Sequence, residues 1–328
     1  MTHNIFVTRP IFDEVLERLR REAHVEINAE DRVLSSNELV PRLREADGVM
    51  TLLTDSVDRA LLEAAPRLKV VSNVAVGFNN IDFDQATRLG VVVTNTPGVL
   101  TETTADFTWA LLMAAARRVV EADNFTRAGK FKVWELRMFL GHDIFGKTMG
   151  IIGLGRIGQA VARRAKGFNM RIVFAGSEQV PDAVIRELGA ERLPVNDLFG
   201  VSDFISLHVP LSESTKHLLN DQSFAMMKSN CIVVNTSRGP VVDEKALVRA
   251  LKQGKIAAAG LDVFEREPEI EPELLEMDNV VLAPHIGSAS RETRLKMCNM
   301  AAENLLAALN GQRPPNLVNP LVWDHRRK

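Results

Sequence analysis

The 328-residue chain contains no tyrosine and only two cysteines, Cys231 and Cys298, and each shortage removes a class of chemistry. Without tyrosine, one of the usual general acids is missing from the candidates. Two cysteines outside any Cys-x-x-Cys or histidine-rich context argue against a disulfide framework and against a zinc site, so packing is their expected role and no metal is expected. No stretch reaches the ~18 to 20 consecutive apolar residues of a membrane-spanning helix. The N-terminus, Met1 to Arg9, lacks the charged start, apolar core and small-residue cleavage site of a secretory signal, so a cytoplasmic location and no membrane partner are expected. An excess of one charge is also lacking. The 40 basic and 42 acidic residues nearly cancel and form no long block, which argues against nucleic acid as a partner. What is there, 46% hydrophobic and 25% charged residues, is a globular composition long enough for about two domains with a small-molecule partner.

The first hundred residues repeat a short β-rich run followed by an amphipathic stretch. Ile5 to Thr8 precedes a helical pattern over Phe12 to Arg21, Val25 to Ile27 leads to Asn37 to Glu45, and Gly48 to Leu53 leads to Asp58 to Ala65. Leu68 to Val76 leads to Asp82 to Leu89, and Val91 to Val93 closes the series. Strands alternating with helices predict an open parallel α/β sheet, and near-continuous apolar strands fit a sheet covered on both faces. A helix over Thr103 to Arg118, with Thr103-x-x-Asp106 as its cap, is expected to bridge to a second sheet. The alternation restarts with Met149 to Ile152, a helix over Arg156 to Lys166, and Met170 to Ala175. Further strands are expected at Phe204 to His208, Cys231 to Val234, Ala257 to Leu261 and Val280 to Leu282. A last helix covers Arg291 to Leu309, and periodicity does not say which sheet it packs on.

The run GIIGLGRIG at 150–158 places Gly153-x-Gly155-x-x-Gly158 after a strand and before a helix. In that setting Gly153 makes the tight turn, Gly155 admits a pyrophosphate to the backbone, and Gly158 lets helix pack on strand, so the loop predicts dinucleotide binding. The acid that usually receives the ribose 2′-OH is absent, because IVFAGSE at 172–178 has Gly176 and Ser177 there. Ser177 can donate to a 2′-phosphate, no arginine stands beside it, and Glu178 is able to turn inward and favour NAD. The reading leans to NADPH, with NADH also accepted.

Three polar motifs follow successive strands: Asn235-Thr236-Ser237-Arg238-Gly239, Asp262 to Pro268, and Ala283-Pro284-His285-Ile286-Gly287. Strand C-termini of a doubly wound sheet are where ligands bind. Arginine offers a fixed fork of donors to a carboxylate and a carbonyl, and histidine exchanges a proton near neutrality, which suits reduction of a 2-oxo acid. Arg238 and His285 are the candidates. Glu267 is the candidate carboxylate to fix the histidine tautomer, and Glu265 rivals it by position. Each also has a plainer reading: Arg238 as a loop cap, His285 as a turn residue, and Glu267 as part of a solvated acidic stretch.

GLGRIG at 153–158, HVPL at 208–211, NTSRG at 235–239, GLDVFEREP at 260–268 and APHIGSA at 283–289 resemble the signatures of the D-isomer-specific 2-hydroxyacid dehydrogenases. AVGFNNID at 75–82 and TNTPGVLTE at 94–102 resemble that family's N-terminal landmarks, so the likeness covers almost the whole chain. The resemblance implies two doubly wound parallel-sheet α/β domains. A Rossmann-type cofactor domain (99–286) is inserted into a flavodoxin-like substrate domain (1–98 plus 287–328). It implies Arg238 for substrate binding and carbonyl polarisation, Glu267 as partner of the histidine, and His285 as proton donor. Backbone N–H groups of Val76 and Gly77, with Leu53 nearby, are implied for the substrate carboxylate. For NAD or NADP it implies Thr104, Gly153, Gly155, Arg156, Ile157, Gly158, Ser177, His208, Pro210, Thr236, Ser237, Arg238, Asp262, His285 and Gly287.

Within the family the chain is most similar to the glyoxylate and hydroxypyruvate reductases. The run from Trp134 through Met138-Phe139-Leu140-Gly141 resembles their dimer-contact segment, which implies a homodimer. The expected activity is NAD(P)H-dependent reduction of glyoxylate to glycolate and hydroxypyruvate to D-glycerate. D-lactate dehydrogenase stands as an alternative, since apolar pockets separate a methyl from a hydroxymethyl poorly. A dinucleotide-sensing corepressor-like binding module on the same fold is the alternative from another class.

Overall fold

The computed structural model describes residues 3–176 and 179–328. Its contacts divide the chain into two units, one made of the residues up to Leu100 together with Ser290–Lys328, the other of Thr101–Ala289. These borders fall two and three residues beyond the 98/99 and 286/287 borders expected from the motifs.

The first unit runs β1 (His3–Val7), α1 (Asp13–Glu22), β2 (Ala23–Ile27), α2 (Ser36–Glu45), β3 (Gly48–Thr51), α3 (Arg59–Ala64), β4 (Val70–Asn73), α4 (Phe83–Arg88) and β5 (Val92–Thr94). All pairings are parallel, in the order β2-β1-β3-β4-β5, the order of flavodoxin-like sheets. Side chains alternate across the sheet: Ile5, Val7, Met50 and Val70 enter one core, while Phe6, Val49 and Val71 enter the other. Both faces being covered, β3, β4 and β5 are buried along their whole length, with their polar residues Thr51, Ser72, Asn73 and Thr94 at the C-terminal ends.

The second unit runs α5 (Thr101–Ala116), α6 (Val119–Arg127), β6 (Thr148–Ile152), α7 (Arg156–Gly167), β7 (Arg171–Ala175), α8 (Asp182–Leu188), β8 (Ala190–Arg192), α9 (Val195–Val201), β9 (Phe204–Leu207), α10 (Asp221–Met226), β10 (Ile232–Asn235), α11 (Glu244–Lys252), β11 (Ala258–Leu261) and β12 (Val280–Leu282). The strand order is β12-β11-β10-β9-β6-β7-β8, so the direction of winding reverses between β6 and β9. A ligand crevice is expected at that reversal. Two cores again flank the sheet, with Ile151, Phe174 and Val234 in one and Ile152, Val173 and Val233 in the other.

The chain then returns to the first unit through α12 (Arg291–Leu309). Met297, Cys298, Ala301, Ala302, Leu305, Leu306 and Leu309 form its buried stripe. Ser72 Oγ donates to the Ala301 carbonyl at 2.8 Å, and a Cβ on Gly48 would lie 2.8 Å from Leu305 Cδ1, so the helix lies close on the first sheet. The tail covers the edge strand β5: Val318 N–H donates to the Val93 carbonyl at 2.9 Å, and Asn319 accepts from Val93 N–H at 2.9 Å.

Two local expectations are corrected. Thr103 and Asp106 do not cap α5, which already begins at Thr101; Asp106 instead pairs with Arg164 of α7 at 2.6 Å. The helix also does not run on to Arg118. That residue takes a left-handed φ of 52°, which ends α5 and lets α6 start in a new direction. No helix among the described residues is long and apolar enough to cross a membrane.

Candidate active site and cofactor loop

The glycine loop joins β6 to α7 at the reversal of strand order. Gly153 has φ +94°, and a Cβ there would stand 2.6 Å from the His208 carbonyl oxygen; a Cβ on Gly158 would overlap the Gly153 carbonyl. Gly155 caps α7 with open space beside it, and among the described residues no side chain bonds to the helix's first N–H groups. Those N–H groups, with Arg156 and no acid in the first turn, fit the pyrophosphate of a dinucleotide. His208 borders the loop. Its Nε2 lies 2.8 Å from Ser206 Oγ, and its buried Nδ1 has no partner among the described residues. Burial pushes its imidazole down to about 3, so it is neutral at physiological pH. Pro210 lies on the exposed loop beyond, its carbonyl accepting from Thr215 Oγ1 at 2.7 Å. Ser177 and Glu178 lie outside the described residues, and the chain before them ends in Gly176 at φ +74°.

β10, β11 and β12 are neighbours, so the three polar motifs leave adjacent strand ends. Asn235 folds the first: its Oδ1 accepts from Ser237 N–H at 3.0 Å and Oγ at 2.8 Å, and its Nδ2 donates to the Arg238 carbonyl at 2.9 Å. Thr236 is tied to α5 through Thr108, whose hydroxyl lies 2.8 Å from Thr236 Oγ1 and donates to the Thr104 carbonyl at 2.8 Å. Thr108 is a contact that no motif announces; its only signal is its place one helical turn after Thr104.

The second and third motifs interlock. The buried Asp262 carboxylate accepts from Ile286 N–H at 2.7 Å and Gly287 N–H at 2.8 Å, while its carbonyl accepts from His285 N–H at 2.9 Å. Burial raises the Asp262 carboxyl, against the pull of these two N–H groups. This wrapping holds His285 at φ +54°, a conformation that non-glycine residues rarely adopt and that persists where surrounding structure enforces it. Its Nδ1 lies 2.8 Å from Glu267 Oε2, and Glu267 Oε1 accepts from Phe264 N–H at 3.1 Å. Burial opposes ionisation of Glu267, but the bond to His285, the charges of His285 and Arg238 and the Phe264 N–H outweigh it and hold the carboxyl below its usual range. Glu265 pairs with His217 instead.

Arg238 is partly buried and makes no ion pair among the described residues; its guanidinium donates to the Ser237 carbonyl at 2.6 Å. Burial pushes its guanidinium below the usual arginine range, with Glu267 opposing. In the first unit, Leu53 and Val76 are exposed beyond β3 and β4. There the Val76 carbonyl accepts from Asn95 Nδ2 at 2.7 Å and the Gly77 carbonyl from Asn73 Nδ2 at 2.9 Å.

A glycine loop at the reversal of a doubly wound sheet, with an arginine, a carboxylate and a histidine at neighbouring strand ends, defines a dinucleotide-dependent oxidoreductase. Residues 109–287 match the model of the D-isomer-specific 2-hydroxyacid dehydrogenase NAD-binding domain, and the chain belongs to that family. It is 53% identical to a glyoxylate reductase of Korarchaeum cryptofilum over 98% of this chain and 97% of that one. It is 50% identical to a glyoxylate reductase of Thermococcus kodakarensis over 100% and 99%. Among solved structures, the NADPH-dependent glyoxylate/hydroxypyruvate reductase of Sinorhizobium meliloti with NADP and malonate superposes with a TM-score of 0.86 at 32% identity, covering 100% of this chain and 99% of that one.

Proposed function

We propose that the chain reduces glyoxylate and hydroxypyruvate to the corresponding 2-hydroxy acids with NADH or NADPH. The observation that carries this reading is Arg238, a partly buried cation with no ion-pair partner among the described residues, within electrostatic reach of the Glu267–His285 pair. A buried unpaired charge is costly, so it marks a place where an anion binds. Arg238 takes the substrate carboxylate and polarises the neighbouring carbonyl through its fork of donors. Leu53 and the N–H groups of Val76 and Gly77 serve substrate binding. When bound, the reduced nicotinamide supplies the hydride. His285 has its Nδ1 committed to Glu267, so Nε2 faces the substrate and delivers the proton to the carbonyl oxygen. Glu267 holds the ring in that tautomer. Thr104, Gly153 to Gly158, Ser177, His208, Pro210, Thr236, Ser237, Asp262 and Gly287 hold the dinucleotide.

Loss of absorbance at the reduced-nicotinamide band tests the reading, with glyoxylate, hydroxypyruvate and pyruvate each offered with NADH and NADPH. Turnover is expected with the first two above pyruvate, and the missing acid after β7 favours NADPH modestly. A large NADH preference overturns the cofactor lean. No turnover with any 2-oxo acid overturns the enzyme reading in favour of a dinucleotide-sensing module.

A homodimer is supported by the segment after α6, where Phe131, Val133, Trp134, Leu136, Leu140 and Phe145 are exposed, Trp134 at 73% and Leu136 at 76%. So many large apolar side chains in 15 residues of one segment mark a contact surface. The wild type is expected to sediment as a dimer and Trp134→Asp/Leu136→Asp as a monomer; a monomeric wild type refutes the assignment. A cytoplasmic setting accords with the two cysteines, both buried and free.

A further inference from the structure

Two histidine–carboxylate pairs share one short loop. Glu267 reaches His285, and Glu265, two residues earlier, places its Oε1 2.7 Å from His217 Nε2. The second pair is built in from several sides. Glu265 N–H donates to Glu244 Oε1 at 2.6 Å, and Glu265 Oε2 accepts from Glu244 N–H at 3.4 Å, at the first residue of α11. The other Glu244 oxygen accepts from Glu271 N–H at 3.3 Å. His217 takes a left-handed φ of 50°, donates its N–H to the Pro240 carbonyl at 2.8 Å, and accepts at its own carbonyl from Asn220 Nδ2 at 2.9 Å. Between Arg238 and Pro240 stands Gly239, where a Cβ would overlap the Phe264 carbonyl, so the Arg238 loop and the Glu267 loop meet backbone to backbone.

We propose that His217, Glu265 and Glu244 are positioning residues that clamp these two loops in one register, so that Arg238 and Glu267 face the reacting atoms together. The clamp works through hydrogen bonds alone and touches neither substrate nor cofactor. Glu244 ties the Glu267 loop to the start of α11, and the His217–Glu265 bond ties it to the chain that Pro240 anchors. Loss of either member frees the Phe264–Glu267 turn to drift, and a displacement of about 1 Å at reacting groups is enough to cost up to ~10²-fold in rate. The inference rests on the roles given above to Arg238 and Glu267, so a variant of Glu267 belongs in its test.

Glu265→Ala and His217→Ala are expected to lower kcat for glyoxylate reduction about tenfold, with cofactor affinity by fluorescence unchanged. In both, kcat falls while KM for glyoxylate changes little, the split expected when reacting groups are displaced and ground-state binding is kept. Glu265→Gln and His217→Asn, which keep a neutral hydrogen bond, recover most of the rate. The double alanine variant is no slower than either single one, because the pair acts as a unit. Alanine variants whose kcat stays at the wild-type value overturn the clamp, even if Tm falls, since that is the result of a merely structural pair. If Glu265→Ala does not fold, His217→Ala decides, because it leaves the carboxylate on the α11 N-terminus. A Glu267→Gln variant with wild-type kcat places the failure in the catalytic assignment, and the clamp falls with it.

Discussion

Replacing His285 by alanine is expected to lower kcat for glyoxylate reduction by at least ~10²-fold while cofactor affinity is retained. The proton must reach the carbonyl oxygen as the hydride reaches carbon, and at these strand ends His285 is the side chain with an uncommitted ring nitrogen to deliver it. Asp262 is enclosed by the N–H groups of Ile286 and Gly287, and Glu267 is engaged by His285 and Phe264, so neither is placed to take over the donor role. Glu267→Gln is expected to lower kcat as well, with cofactor affinity retained, because the bond that orients the ring is weakened. Turnover of His285→Ala near the wild-type value removes His285 from the mechanism.

Arg238 carries the second large effect. Truncating one partner of a buried, hydrogen-bonded charge pair costs about 2 to 5 kcal/mol, or on the order of 30- to several-thousand-fold in kcat/KM. Arg238→Met should fall in that range. Arg238→Lys should lie between it and the wild type, because a point charge survives but the bidentate fork does not. The stability of the free enzyme should move the other way. No ion pair is lost on substitution and a desolvated charge is removed, so Arg238→Met is expected to keep or raise Tm. A variant that unfolds, or one that keeps kcat/KM for glyoxylate, contradicts the anion-binding role.

Much of this was legible before any tertiary contact. Alternation of short apolar runs with amphipathic stretches announced parallel sheets, because both faces of such sheets must be covered. The helix over Arg291–Leu309 and the strand over Val280–Leu282 were read to the residue, since Gly311 and the Pro314-Pro315 pair stop the helix and the apolar run Val280–Leu282 stands just before Ala283-Pro284. The stretch from 179 to 203 was less legible. α8, β8 and α9 are three to seven residues long, too short to show a period, and β8 has only one pairing partner. The cap at Thr103 failed for a related reason. Thr-x-x-Asp is compatible with a helix start, but α5 already begins at Thr101, which puts Thr103 inside its first turn and leaves Asp106 to pair with Arg164 of α7.

The motifs by themselves determined the class of chemistry: the glycine loop, the arginine and histidine at strand ends, and two carboxylates able to serve the histidine. These are local properties, set by residue type and spacing along one chain segment. Spacing alone left Glu265 and Glu267 open, the family resemblance selected Glu267, and the tertiary structure gives the reason: both lie on one loop, and partner choice depends on where His217 and His285 arrive from 48 and 18 residues away. Only the tertiary structure showed that Arg238 is partly buried with no ion-pair partner among the described residues, and it laid the buried stripe of α12 on the first sheet, which periodicity could not assign. Burial and pairing are relations between distant segments, and spacing within a segment does not encode them.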